Sequence, residues 1–362
     1  MGRAVIHIGL PRTGTTTFQA ILADHRDVLA RNGVLYPELT PRSATGTPPH
    51  ISHQHLGETL DWRRPRAERR ELTGALAEQV RAARPEVVLI SYERLALLRP
   101  WHRGPAIFRE LFAALGYKIE VLMTVRPQDG AINSQYAWRA QFLREARPFK
   151  IAFQRDLRDQ RYDYARILEP WAAIAHTRPE VVPLQDARSG APLVERLLDA
   201  VRLGHLKGEL VDGAVPPQLE NRSPGPFAVE ISRRLRAECG PLGLENRAAR
   251  QLTEEISTLL RKRDLDAESF RGLDDGARAR AREAFGRAND AFAHAVWGEP
   301  WDACVASEPG RPPNDLQRTA TERDEAIIAE IMTDLRGRYP IQARGSARLL
   351  ARAKEAIARP FR

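Results

Sequence analysis

The sequence of 362 residues contains two cysteines, Cys239 and Cys304, which are too few for a disulfide framework or a cysteine-based zinc site. It also lacks any apolar run close to the ~20 residues that a membrane-spanning helix needs. Its first residues do not show the charged and then apolar pattern of a secretory signal. We therefore expect a cytoplasmic protein without membrane spans.

Acidic residues are in deficit, with 47 Asp and Glu against 56 Lys and Arg, which gives a formal net charge of +9. The basic residues are nearly all arginine, and they are scattered among acidic ones. This pattern favours discrete contacts with small anions over the continuous basic stripe of a nucleic-acid-binding protein. We therefore expect no nucleic-acid partner.

A strand–loop–helix pattern lies near the start of the chain. Val5–Leu10 is an apolar run that predicts a buried strand, and Thr17–Leu29 has apolar residues at helical spacing. The loop region supplies the following candidate anion-binding residues: Gly9, Pro11, Arg12, Thr13, Gly14, Thr15, Thr16 and Thr17. Loop amides and first-turn amides of a helix point at whatever lies there, and the helix dipole adds about half a positive charge. The pattern therefore predicts an anion site.

The glycine spacing of this loop is close to that of the nucleotide triphosphatase loop G-x-x-x-x-G-K-[ST]. Gly9 and Gly14 match it, but Thr15 stands at the lysine position. The segment Pro11–Thr16 resembles instead the sulfotransferase loop P-K-[ST]-G-[ST]-[ST], with Arg12 for the usual lysine. In that family the loop binds the 5′-phosphosulfate of 3′-phosphoadenylyl sulfate (PAPS). The resemblance implies that these loop residues bind the donor and that Arg12 acts at the leaving phosphate.

Three further buried strands are predicted, at Glu86–Ser91, Tyr117–Val125 and Glu180–Leu184, with helical patterns between them. This alternation predicts an α/β fold with a mostly parallel central sheet flanked by helices, a three-layer sandwich like that of P-loop nucleotide triphosphatases. Ligands of such sheets bind beyond the carboxyl ends of the strands. We expect the loop, Glu93 and Arg126 to meet at that edge.

Arg126 follows the predicted strand Tyr117–Val125, the third along the chain, and Ser134 lies eight residues later, early in a predicted helix over 129–145. Sulfotransferases bind the 3′-phosphate of their donor with an arginine and a serine at this spacing, and the pair here resembles theirs. A guanidinium can bind two phosphate oxygens, and a hydroxyl adds a third contact. The pair argues against ATP, which has no 3′-phosphate. The alternative is an arginine that caps a helix and an ordinary helical serine.

The segment Ser91–Glu93 resembles the Ser-x-Glu setting of sulfotransferases that act on polysaccharides, which makes Glu93 the candidate general base. Its alternative role is an ion pair with Arg94. Sulfotransferases for small phenols and steroids use histidine as the base. His53 and His55 are therefore alternative bases and candidate acceptor contacts, in a stretch expected to overhang the site.

Two further groups of residues are candidates for binding. Tyr136 and Arg139, on the helix that follows the third strand, suit stacking on a sugar and pairing with an acidic one, but suit ordinary packing equally well. Asn221, Arg222 and Ser223 resemble a late loop of bacterial sulfotransferases that closes over the donor. An N-cap before the next helix explains the same three residues equally well.

The resemblance covers about residues 4–302 and implies a PAPS-dependent sulfotransferase of the bacterial carbohydrate type. Such an enzyme moves a sulfuryl group in line from PAPS to a hydroxyl of a saccharide or glycolipid, and releases adenosine 3′,5′-bisphosphate without a metal. The alternatives are a nucleotide-dependent kinase or ATPase with a degenerate loop, or a non-catalytic protein that binds anions or glycans.

The predicted domain organisation is a catalytic domain over 1–305, a linker over 306–320 and a helical basic tail over 321–362. The last helical pattern of the tail, over 345–358, is basic and amphipathic. It predicts a surface helix packed by its leucines, or alternatively a peripheral contact with a membrane surface or a partner.

Overall fold

The structure is a computed structural model of the chain. It describes residues 2–44, 50–60, 65–98, 102–211, 223–239, 246–308 and 310–339. These residues belong to two compact units. Unit 1 is built from Met1–Gln128, Tyr162–Asn221 and Phe285–Glu308. Unit 2 is built from Asp129–Arg161, Arg222–Ala284 and Pro309–Arg362. The stretch 1–305, predicted as one catalytic domain, therefore contributes to both units.

Unit 1 contains a sheet of five parallel strands in the order β2-β3-β1-β4-β5. The strands are β1 Arg3–His7, β2 Val34–Leu35, β3 Val87–Ser91, β4 Lys118–Val125 and β5 Glu180–Pro183. The predicted α/β class with a parallel central sheet flanked by helices is confirmed. The sheet also contains a short strand, β2, which is not among the four predicted strands.

Sixteen helices occur among the described residues. The first eight are α1 Thr15–Asp24, α2 Arg26–Arg31, α3 Gln54–Leu60, α4 Arg66–Ala83, α5 Gly104–Leu115, α6 Gln128–Gln141, α7 Phe149–Arg158 and α8 Tyr164–Ala172. The remaining eight are α9 Leu193–Ala200, α10 Lys207–Leu210, α11 Pro226–Glu238, α12 Asn246–Lys262, α13 Asp275–Trp297, α14 Trp301–Cys304, α15 Leu316–Thr319 and α16 Glu322–Arg338. None of the helices in these described ranges combines the length and the apolarity needed to cross a bilayer.

The strands of unit 1 are mostly apolar because helices cover the sheet. Alternate strand residues pack with α1 and α9 in one core cluster, which includes Val5, Leu89, Leu122, Phe18 and Leu197. The intervening residues of the strands are buried as well, and α5 and α8 contact β4. Each fully buried leucine or phenylalanine stabilises the fold by roughly 1.5–3 kcal/mol.

The parallel register brings the carboxyl ends of three neighbouring strands to one edge of the sheet. His7, the last residue of β1, is in register with Ser91 of β3 and with Leu122 of β4. The chain therefore leaves β1, β3 and β4 at the same edge, where the predicted loop, Glu93 and Arg126 follow the three strands. Ligands of open parallel sheets bind at this edge.

Unit 2 is helical in its described residues and has its own core, formed chiefly between α11, α12 and α16. Thr321 and Asp324 form a capping box that begins α16, at the start of the predicted helical tail. Leu316, in the stretch predicted as a linker, is buried in the same core. The helix predicted over 345–358 lies outside the described residues.

Candidate functional site

The loop after β1 runs from Ile8 to Gly14 and leads directly into α1. Two of its residues have a left-handed backbone, Arg12 at φ 69° and Gly14 at φ 76°. For a residue other than glycine this conformation costs roughly 1–2 kcal/mol, so contacts around Arg12 must hold it. Gly14 is the N-cap of α1 and has no side chain to cover the first-turn amides. The loop thus presents a helix N-terminus of the kind that binds anions.

The four threonines of the loop and of the first turn of α1 divide into two pairs by burial. Thr13 and Thr15 are buried, whereas Thr16 is half-buried and Thr17 is exposed. Thr13 Oγ1 donates to a loop carbonyl at 2.6 Å and lies 2.7 Å from Thr124 Oγ1 on β4. Thr13 therefore ties the loop to the sheet, and Thr16 and Thr17 are the hydroxyls nearer to the surface.

Gly9 lies against polar side chains of β1 and β4. A Cβ atom at Gly9 would lie 2.7 Å from Thr124 Oγ1 and 2.8 Å from His7 Nε2, closer than real Cβ contacts come. His7 is fully buried, its Nδ1 lies 2.8 Å from Ser91 Oγ, and its Nε2 has no hydrogen-bond partner among the described residues. Burial lowers the pKa of the His7 imidazole to about 3, so the ring is neutral at pH 7.

Arg12, Glu93 and Arg126 share one electrostatic neighbourhood. Burial lowers the pKa of the Arg12 guanidinium, the charge of Arg126 lowers it further, and the charge of Glu93 raises it. Arg126 Nη1 donates to the carbonyl of Arg12 at 2.8 Å, which helps to hold the left-handed residue. Arg126 also pairs with Glu308, through Nε at 2.9 Å and through Nη2. The predicted meeting of the three residues at one edge agrees with this geometry.

Glu93 begins a short 3₁₀ segment that follows β3. Its Oε2 accepts a hydrogen bond from Gln19 Nε2 at 3.0 Å, and the same nitrogen reaches Ser91 Oγ at 3.0 Å. Gln19 is buried on α1. Partial burial lowers the pKa of the His50 imidazole, and the charge of Glu93 opposes that shift. The carboxylate is thus fixed from the side of α1 and lies within electrostatic reach of a histidine.

The two predicted alternative bases differ in their surroundings. Both ring nitrogens of His53 lie against the backbone: Nδ1 accepts from the amide of Ser91 at 2.9 Å, and Nε2 lies 2.9 Å from the carbonyl of Pro37. His53 is buried, and this burial lowers its pKa to about 4. This geometry favours a structural role for His53. His55 is half-buried on α3, with its ring 6.4 Å from that of His50.

Three predicted site residues lie on α6 in unit 2, whereas Arg126 belongs to unit 1. Ser134 is buried there. Tyr136 is fully buried, and its hydroxyl donates to the carbonyl of Arg147 at 2.9 Å. Arg139 Nη2 pairs at 2.9 Å with the buried carboxylate of Asp156. These contacts favour packing over acceptor binding for Tyr136 and Arg139.

The late loop is described only in part, because Asn221 and Arg222 lie outside the described residues. Ser223 precedes α11, but the N-cap of that helix is Gly225. The carboxylate of Asp266 accepts from two backbone amides in the first turn of α11, both at 2.8 Å. Asp266 therefore satisfies the amides that the alternative interpretation assigns to an N-cap side chain.

Reasoning from the sequence missed His7, Gln19 and Glu308. His7 is a polar residue inside an apolar strand, which is a usable signal for a buried hydrogen-bonded group. Gln19 lies one helical turn after Thr15 on the face of α1 that is buried. Glu308 lies 182 residues beyond its partner Arg126, and no local pattern connects the two.

Comparisons with models of known protein families and with curated proteins each gave no match.

Proposed function

We propose that the protein is a sulfotransferase that transfers a sulfuryl group from PAPS to a hydroxyl acceptor. The observation that carries the proposal is the convergence of two arginines and a glutamate at the edge where β1, β3 and β4 end. The charge of Arg126 lowers the pKa of the Arg12 guanidinium there, and the charge of Glu93 raises it. Two arginines beside Glu93 suit a donor with two phosphate groups and a reaction that removes a proton.

The donor would bind at two points. Arg12, Thr16 and the amides at the start of α1 would hold the 5′-phosphosulfate, because the helix end and the guanidinium both favour negative charge. Arg126 would hold the 3′-phosphate. Each hydrogen bond from a guanidinium to an ionised oxygen contributes roughly 1.5–3 kcal/mol. Positive charge at the bridging and leaving oxygens would favour in-line transfer by electrostatic stabilisation.

Glu93 would accept the proton of the acceptor hydroxyl during transfer. Its hydrogen bond from the buried Gln19 fixes one carboxylate oxygen, and the other oxygen would take the proton. His53 is a weaker candidate, since both of its ring nitrogens already lie against the backbone. We expect a saccharide or glycolipid acceptor, because Ser91–Glu93 resembles the corresponding segment of sulfotransferases that act on polysaccharides. We expect a cytoplasmic location, because both cysteines are free.

The test is an incubation of the purified protein with PAPS and a panel of saccharides and glycolipids. We expect one acceptor to gain the mass of a single SO₃ group, with release of adenosine 3′,5′-bisphosphate. The Glu93→Gln variant should bind the bisphosphate like the wild type but should not transfer the group. Release of the bisphosphate at the same rate in both proteins would contradict the role of Glu93. A protein that binds ATP more tightly than adenosine 3′,5′-bisphosphate would contradict the proposal itself.

A further inference from the structure

The guanidinium of Arg126 is already paired with a carboxylate of its own unit. Its Nε donates to Glu308 Oε1 at 2.9 Å, and its Nη2 donates to the same oxygen. The third nitrogen, Nη1, donates to the carbonyl of Arg12. The side chains of Arg126 and Glu308 are 12% and 25% exposed. One edge of the guanidinium thus binds an anion supplied by the chain, and another edge holds the loop.

Glu308 extends from a segment that is anchored only two residues earlier. Val305 is buried and forms an isolated bridge with Asp186, and the amide of Ala306 donates to the carbonyl of Gln185 at 3.0 Å. Glu308 itself lies outside helices and strands and is the last residue of unit 1. Its side chain can therefore leave Arg126 without disturbing the anchor at Val305.

We propose that Glu308 is an internal competitor for the anion site at Arg126, which the 3′-phosphate of the donor must displace. This inference rests on the proposed function and explains why the site would select a nucleotide that carries a 3′-phosphate. A carboxylate carries one negative charge, whereas a phosphomonoester carries about −1.5 to −2 at pH 7. The nearby charge of Arg12 increases this difference in favour of the phosphate. A nucleotide without a 3′-phosphate leaves the Arg126–Glu308 pair intact and gains nothing from Arg126.

The test is calorimetric titration of Glu308→Gln, which keeps the shape of the side chain and removes its charge. We expect the variant to bind adenosine 3′,5′-bisphosphate roughly tenfold more tightly. This is the gain in affinity if Glu308 leaves Arg126 free in only about one-tenth of the wild-type molecules. Its affinity for adenosine 5′-monophosphate should stay within about twofold of the wild type, because that ligand does not reach Arg126. The matched control is Glu299→Gln, an exposed acid of unit 1 that loses the same charge.

A double-variant cycle with Arg126→Met isolates the pair. In the Arg126→Met background, Glu308→Gln should no longer improve binding of the bisphosphate. If the wild type binds the bisphosphate and Glu308→Gln binds it no better, the role of Glu308 is wrong and the proposed function stands. If no variant binds it, the proposed function fails. Inorganic phosphate is then the probe: a gain in Glu308→Gln that Arg126→Met removes still supports the competition, and no gain overturns it.

Discussion

Two buried neutral histidines make the stability of unit 1 depend on pH. His7 and His53 are 0% and 3% exposed, and burial lowers their pKa values to about 3 and about 4. In the unfolded chain a histidine has a pKa of about 6.5. The unfolded state therefore binds protons below pH 6.5 that the folded state does not bind. Stability is fully present above that pH and is lost as the pH falls.

The size of the effect follows from these values. Between pH 7 and pH 5 the unfolded chain takes up about 0.7 of a proton at each histidine, while the folded chain takes up about 0.1 or less. Each histidine then lowers the free energy of unfolding by about 2 kcal/mol, and the two together by about 4 kcal/mol. The His7→Gln variant has no imidazole at position 7, so its unfolded chain takes up no proton there. Its loss of stability between the two pH values should be smaller than that of the wild type by about 2 kcal/mol.

Hydrogen exchange of the amides of β1 and β3 measures the pH dependence of the stability of unit 1 by itself. The free energy of opening is compared at pH 7 and pH 5 for the wild type, His7→Gln and His53→Gln. His205→Gln is the control, because His205 is exposed in the same unit. Other titrating groups cancel in these differences. Equal losses of stability in the wild type and in both buried-site variants would refute the reasoning.

Four further predictions concern single residues. Gly9→Ala forces a Cβ atom against Thr124 and should weaken binding of adenosine 3′,5′-bisphosphate about tenfold or more in calorimetry. Gly74 lies in open space on α4, so Gly74→Ala should stabilise the protein by about 0.5–1 kcal/mol in thermal unfolding. Glu93→Gln should slow sulfuryl transfer about 10²–10⁴-fold with unchanged bisphosphate affinity in calorimetry. Burial raises the pKa of Asp266 to about 6, so unit 2 should lose about 2 kcal/mol of stability as the pH rises from 4 to 7. Exchange of α11 amides in Asp266→Asn should show no such loss.

The sheet and its functional edge could be predicted because both depend on local patterns. Buried parallel strands are apolar runs, and the residue that follows each run must lie at the carboxyl edge. This reasoning placed the loop, Glu93 and Arg126 at one edge of the sheet. It could not give the strand order, which depends on long-range pairing. It also did not separate the break at His25, where the helix predicted over 17–29 divides into α1 and α2.

The division into two units could not be predicted from the same patterns. Helical periodicity shows that one face of α6 is buried but not which core buries it. Tyr136 and Arg139 therefore suited an acceptor pocket as well as the interior of unit 2, where their partners are found. The partners of Arg126 and Glu93 were also out of reach. Glu308 and Gln19 are brought to them by the fold across 182 and 74 residues.

The central claim is that this site binds a nucleotide at both a 5′-phosphate and a 3′-phosphate. Calorimetric titration of the wild type with adenosine 3′,5′-bisphosphate and with ATP, without added acceptor, tests it most directly. We predict tighter binding of the bisphosphate, and a loss of affinity of roughly tenfold or more in Arg126→Met, which removes two charge-assisted hydrogen bonds to the 3′-phosphate. Tighter binding of ATP, or bisphosphate binding that Arg126→Met leaves unchanged, would contradict it.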